Sequence, residues 1–169
     1  MPPRQSMTRR HLTPILLLAG ICAAPGPAEA ACSPLSLCSC SVSTTGIAFG
    51  NYNPVAGIST DSSGSIRVQC ILLLDLAGSY TIALSPGGSA SYVQRRMSNG
   101  GSLLGYNLYI DSARSQIWGD GTGVSQIVTN NFAALLAVDQ TTPIYGRIPA
   151  GQNVAAGSYA DSIIVTITF

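Results

Sequence analysis

Ile163-Ile164-Val165-Thr166-Ile167-Thr168-Phe169 is the stretch on which the fold turns. On an extended chain Ile163, Val165, Ile167 and Phe169 face one way and Ile164, Thr166 and Thr168 the other, because successive strand side chains point to opposite faces. The same period of two recurs upstream. Ile66, Val68 and Cys70 alternate with Ser65, Arg67 and Gln69; Tyr80, Ile82 and Leu84 alternate with Ser79, Thr81, Ala83 and Ser85; Leu104, Tyr106, Leu108 and Ile110 alternate with Gly105, Asn107 and Tyr109. Turn-forming clusters separate the runs: Asp61-Ser62-Ser63-Gly64, Ser85-Pro86-Gly87-Gly88, Ser98-Asn99-Gly100-Gly101, Gly119-Asp120-Gly121-Thr122-Gly123 and Ala156-Gly157-Ser158. Asn131 to Val138 is the best helical candidate, but it is short and reads equally well as a buried strand. Many short strands at this spacing predict an all-β chain folded as a β-sandwich, with no internal repeat or linker to divide it. One feature is odd for a sandwich. The last strand runs to Phe169 with no polar tail, where a self-sufficient domain usually ends in a few dispensable residues.

The first thirty residues read as a signal peptide rather than as part of the fold. Arg4, Arg9 and Arg10 form a positive start, Leu12 to Ala24 an apolar stretch, and Ala28-Glu29-Ala30 a small-x-small cleavage pattern, which predicts a sandwich domain over 31–169. The apolar stretch is too short, and too broken by Pro14, for a transmembrane helix, which needs about 20 apolar residues. Three of the eight arginines and the single glutamate fall inside the signal, leaving five arginines against six aspartates and no lysine or histidine. Such a chain has no electrostatic footprint for nucleic acid or anionic lipid.

Cys32, Cys38, Cys40 and Cys70 remain after the signal, and an even number of cysteines in an exported chain predicts disulfides. Cys38 and Cys40 point the same way on an extended chain and are poorly placed to bond each other. That leaves Cys40–Cys70 with Cys32–Cys38, or Cys38–Cys70 with Cys32–Cys40, the first being preferred.

Catalytic chemistry is hard to find. The one histidine, His11, lies in the signal, which removes the usual base or ligand of serine hydrolases, cysteine proteases and most zinc sites. Lysine chemistry is missing for the same reason, and the Cys32-x5-Cys38-x-Cys40 spacing suits no metal finger. No catalytic residue, cofactor site or metal site is therefore expected, and the chain is read as a non-enzyme. Asp111 and Asp120 bracket Trp118, a combination that can make a sugar-binding platform; the plainer reading is that Asp120-Gly121 turns a hairpin and Trp118 is core. Arg95-Arg96 reads as a solvated strand edge that deters stray pairing rather than as an anion patch.

Cys40-Ser41-Val42-Ser43, then Ile47-Ala48-Phe49-Gly50-Asn51-Tyr52-Asn53-Pro54, then Gly64-x-Ile66-x-Val68-x-Cys70 resemble the opening of the spore coat protein U domain. The resemblance continues through Tyr80-Thr81-Ile82-Ala83-Leu84, Arg96-Met97, Leu104-x-Tyr106-x-Leu108-Tyr109 and Trp118-Gly119-Asp120-Gly121. It closes with Ala156-Gly157-Ser158-Tyr159-x-Asp161-x-Ile163-x-Val165-x-Ile167-x-Phe169. That family includes subunits of archaic chaperone–usher pili, which mediate attachment and biofilm formation, and a namesake spore coat protein.

The resemblance implies an immunoglobulin-like sandwich missing its last strand. A periplasmic chaperone lends that strand, an outer-membrane usher assembles the fibre, and a neighbouring pilus subunit's N-terminal extension takes the strand's place. It implies a disulfide between Cys40 and Cys70. It also implies a donor-strand groove with Ile163, Val165, Ile167 and Phe169 on one side and the first strand, around Val42, Ile47 and Phe49, on the other. In one respect the chain departs from the pattern. Fibre-forming subunits carry a dozen or more residues of alternating apolar side chains before the first family cysteine, whereas here only Ala31 to Ser39 precede Cys40, and they include Pro34 and two cysteines. The chain is expected to accept a strand but not to give one, as a subunit at the end of a surface fibre. The alternatives are a self-assembling spore- or cell-coat protein, or a secreted carbohydrate-binding module using Trp118.

Overall fold

A computed structural model describes residues 29–31, 38–72, 76–134 and 137–169. Residues 1–28 of the signal segment lie outside these residues, as does Cys32 of the expected Cys32–Cys38 pairing. Among the described residues nine strands are present: β1 (Glu29–Ala31), β2 (Cys38–Thr45), β3 (Thr60–Leu72), β4 (Leu76–Leu84), β5 (Arg95–Asn99), β6 (Ser102–Tyr109), β7 (Val128–Ala134), β8 (Ala137–Ile148) and β9 (Val165–Thr168). A 3-10 turn at Gly87–Ser89 follows β4. Among the described residues no helix is long and apolar enough to cross a membrane. β1 spans the Ala30–Ala31 bond at which the signal reading places cleavage, and it pairs antiparallel with β2.

The strands form two sheets, β1-β2-β3-β8-β6-β5 and β7-β4-β9. Their apolar alternation explains how they stack. Ile66, Val68 and Cys70 of β3, Tyr80, Ile82 and Leu84 of β4, and Leu104, Tyr106 and Leu108 of β6 are all buried and share one core. Trp118 is fully buried among them, and its indole N–H donates to the carbonyl of Ile82 at 2.9 Å. Cys40 stands directly opposite Cys70 in the β2–β3 register, and the two are joined by a disulfide. This settles the open choice of pairings for those two residues.

Two local readings are corrected. Asp61-Ser62-Ser63-Gly64 is not a turn: it lies inside β3, with Asp61 opposite Arg147 and Gly64 opposite Ile144 of β8. Asp61 accepts two hydrogen bonds from Arg147, both at 2.7 Å, which gives its charge a cross-strand partner. Gly64 serves packing, since a Cβ there would strike the carbonyl oxygen of Thr45 and the side chain of Ile47. Arg95 is not a solvated edge residue either. It is fully buried, while its neighbour Arg96 is exposed. Over Asn131 to Val138 the strand reading holds where the chain is described, in β7 and the start of β8.

Candidate functional site

The immunoglobulin constant-type sandwich places four strands in the order A-B-E-D on one sheet and C-F-G on the other. Here β2-β3-β8-β6 takes the first order, and β4 with β9 takes the places of C and F. No strand among the described residues occupies the place of G.

The vacancy can be followed along β9. Ser85 N–H donates to Ile164 O at 2.9 Å, continuing the β4–β9 ladder whose register sets Ala83 against Thr166 and Leu84 against Val165. In an antiparallel ladder, hydrogen-bonded and non-bonded pairs alternate. Residues 164, 166 and 168 therefore turn their main-chain groups toward β4, and 163, 165 and 167 turn theirs to the open edge. The side chains of Ile163, Val165 and Ile167 are half-buried and pack on the core, while Ile164 is exposed. Among the described residues no strand pairs with this outer edge of β9, whose inner face is apolar.

Across the gap runs the segment after β2. Beyond Thr45 the chain leaves β3 and continues without strand pairing through 46–53. It crosses the sheet over two glycines. Gly64 admits the Thr45 carbonyl, and a Cβ on Gly146 would lie 2.7 Å from the tip of the Phe49 ring. Ile47 and Phe49 are thereby laid into the seam, and the Phe49 ring meets Tyr106 edge-on with centroids 5.9 Å apart. Tyr52 anchors the far end: its hydroxyl donates to Pro149 O at 3.1 Å and accepts from Gln152 N–H at 2.8 Å.

Between this segment and the approach to β9 lies a cleft in two adjoining parts, with apolar side chains and polar groups in its lining. One, of about 600 Å³, is bounded by 47–52 and 154–159 over Met97, Leu104 and Ile148. The other, of about 350 Å³, lies between Thr44–Ile47 and Ala160–Val165 over Leu84, Tyr106, Leu108 and Ile144. Ile47, Phe49, Met97 and Tyr159 border both. Of the residues expected at a groove, Ile47, Phe49, Ile163 and Val165 line this cleft. Val42 sits instead inside β2 opposite Val68, Ile167 opposite Ile82, and Phe169 packs on Tyr80 with ring centroids 5.6 Å apart. The floor from β5, β6 and β8 was not anticipated as part of a site. The alternation of Leu104, Tyr106 and Leu108 marked those residues as core, and only the open seam brings them into contact with solvent-accessible space.

A polar network joins the two sheets beside the cleft. Arg95 donates from Nε and Nη2 to Ser85 O, from Nη2 to Trp118 O at 2.7 Å and from Nη1 to Asn107 Oδ1 at 2.8 Å. Its burial favours the neutral form and pulls its pKa down, opposed by Tyr106, Tyr92, Asp161 and Asp120 nearby. The Tyr106 hydroxyl donates to Asp161 Oδ2 at 2.7 Å, and burial first, then this carboxylate, hold the phenol strongly in its neutral form.

The carbohydrate-binding arrangement is not formed. A fully buried indole cannot stack on a sugar. Asp111 accepts from the backbone N–H of Ser115 and Gln116, and Asp120 from Thr122, so both carboxylates shape turns, and those hydrogen bonds depress their pKa values.

The geometry defines a two-sheet β-sandwich with a cleft beside the outer edge of β9. Its sequence is matched over residues 28–166 by the model of the Spore Coat Protein U domain family, and the chain belongs to that family. Protein U of Myxococcus xanthus is 35% identical over 130 residues, covering 72% of this chain and 70% of that protein. Among solved structures, the chaperone–tip adhesion subunit pre-assembly complex of CsuC and CsuE, from archaic chaperone–usher Csu pili of Acinetobacter baumannii, contains a chain aligned at 19% identity and a TM-score of 0.46. The alignment covers 76% of this chain but only 40% of that one.

Proposed function

We propose that this chain is a non-catalytic structural subunit of a secreted surface fibre that accepts a donor strand in the seam between residues 46–52 and β9. The observation that carries the reading is the unpaired outer edge of β9 facing the cleft, with Ile163 and Val165 on one side and Ile47 and Phe49 on the other. An added strand would gain main-chain hydrogen bonds along the edge and seat alternate side chains in the cleft, the mode called β-augmentation. Each large apolar side chain so buried is worth about 1.5–3 kcal/mol.

The partners that follow are a periplasmic chaperone that lends the strand in transit, an outer-membrane usher and neighbouring subunits. The route is export through the signal peptide, passage through the periplasm, and display on the cell surface. Within the assembly the chain takes a terminal position, as a tip or cap. The residues between the signal and Cys40 number only nine and include Pro34, which cannot donate to a ladder. Co-expression with a candidate chaperone tests the reading: a stable one-to-one complex supports it, and a chain that accumulates as a soluble monomer without any chaperone contradicts it.

A coat protein that self-assembles without a fibre is the second reading, favoured by the spore-coat family description and by the similarity to Protein U. Immunogold labelling separates the two. Gold at fibre ends supports the first, a uniform coat the second, and gold along whole fibres would show that the chain also donates a strand.

A further inference from the structure

Asp161 is the one charged side chain among the residues that line either part of the cleft. Its place is fixed from several sides. The preceding residue, Ala160, is bridged to Ser98 at the end of β5 by reciprocal main-chain bonds of 2.8 and 3.1 Å. Oδ1 accepts the N–H groups of Gly88 at 3.0 Å and Ser162 at 2.8 Å. A Cβ on Gly87 would collide with the carboxylate, so the loop after β4 is moulded around it. Oδ2 accepts one bond, from the Tyr106 hydroxyl of the opposite sheet.

A carboxylate oxygen can accept more than one hydrogen bond. The nearest buried cation, Arg95, directs its donors to Ser85 O, Trp118 O and Asn107 Oδ1, and no ion pair among the described residues includes Asp161. Asp161 borders the second part of the cleft, and its Oδ2 has acceptor capacity beyond the Tyr106 bond. A strand laid over the cleft would shield this carboxylate from solvent, and covering a charged group without a further partner is costly. A second carboxylate brought there would add like-charge repulsion.

Resting on the strand-acceptor reading, we infer that Asp161 sets the chemistry of the strand that docks. The inward residue facing it carries a hydrogen-bond donor (a hydroxyl, an amide or an ammonium) and not a carboxylate, while the other inward residues are apolar. Asp161 is then a specificity-determining residue in a site that has no other charged side chain.

The test uses the full exported chain and synthetic peptides of about eight residues, an ordinary strand length, with valine at every inward position. Each valine is replaced in turn by Thr, Lys or Glu, and binding is followed by fluorescence anisotropy. At a single inward position Thr or Lys should bind at least as well as Val, and Glu should bind about tenfold more weakly than it does at the other positions. In Asp161→Asn that extra penalty should vanish. In Tyr106→Phe, which keeps the ring and frees Oδ2, the preference for Thr or Lys should grow. The inference is overturned if the three replacements rank alike at every inward position, or if the pattern is unchanged in both variants. If no peptide binds, the all-valine one included, the strand-acceptor reading itself fails.

Discussion

Phe49 crosses the open seam to meet Tyr106 edge-on, with ring centroids 5.9 Å apart and planes inclined at 70°. This contact ties the unpaired segment after β2 to β6 and keeps one wall of the cleft in place. Phe49→Ala should lower stability by about 2–3 kcal/mol, below the full cost of a buried Phe because the ring is half-buried. It should also weaken strand uptake. Urea unfolding of the chaperone-bound and freed protein checks the first effect, and peptide binding the second.

The crossing of that segment depends on Gly64 and Gly146, and the two should differ in tolerance. A methyl at Gly64 meets the main-chain carbonyl of Thr45, which cannot swing aside, whereas one at Gly146 meets the end of a ring that can. Gly64→Ala should cost about 3 kcal/mol and Gly146→Ala about 1 kcal/mol. Denaturant midpoints of the two variants give the comparison.

Arg95 holds both sheets together from inside. Arg95→Met would leave the carbonyls of Ser85 and Trp118 without this donor, and should cost about 3 kcal/mol or more. Arg95→Lys keeps the charge but not the planar fork, and should recover only part of the loss. Thermal unfolding of both variants measures the split. A neutral Arg95→Met would mean the network is incidental.

Acid should weaken the fold through its turn and cross-strand carboxylates. Hydrogen bonding from Arg147, aided by the charges of Arg114 and Arg147, holds Asp61 below its usual pKa, and Arg67 does the same for Asp139. A depressed carboxylate contributes stability that is present above its unfolded pKa, about 3.9, and is lost as pH falls through the folded value. The melting temperature should therefore hold steady down to about pH 4 and decline below it. Asp61→Asn should flatten part of that decline. These groups are near the surface, so added salt should shrink the effect.

Much of the fold could be read from period-two alternation. Ile66 to Cys70, Tyr80 to Leu84 and Leu104 to Leu108 all became core strands, because burying one face of a sheet imposes that pattern. What misled was composition without context. Asp61-Ser62-Ser63-Gly64 has turn vocabulary, yet β8 supplies Arg147 for the aspartate, and Gly64 is demanded by a neighbouring carbonyl rather than by a turn. Arg95 next to Arg96 carried no local sign of burial; its partners, Ser85, Asn107 and Trp118, come from three other parts of the chain. Within the cleft, Ile47, Phe49, Ile163 and Val165 could be named from the family resemblance. Asp161 was visible only as one residue of a motif, since its role depends on Tyr106 reaching it from the opposite sheet.

The most direct measurement of the central claim is the melting temperature of the chain with a segment of alternating apolar residues fused through a flexible linker, set beside the same fusion with the segment scrambled. If the seam is an unfilled strand position, the matched segment should raise the melting temperature by about 10–20 °C over the scrambled one, the shift expected for several kcal/mol in a domain of this size. It should also protect the main-chain amides of residues 163, 165 and 167 from hydrogen exchange. An unfused chain that already unfolds cooperatively at high temperature, and gains nothing from the matched segment, would mean that the sandwich is complete without a donor and would contradict the account.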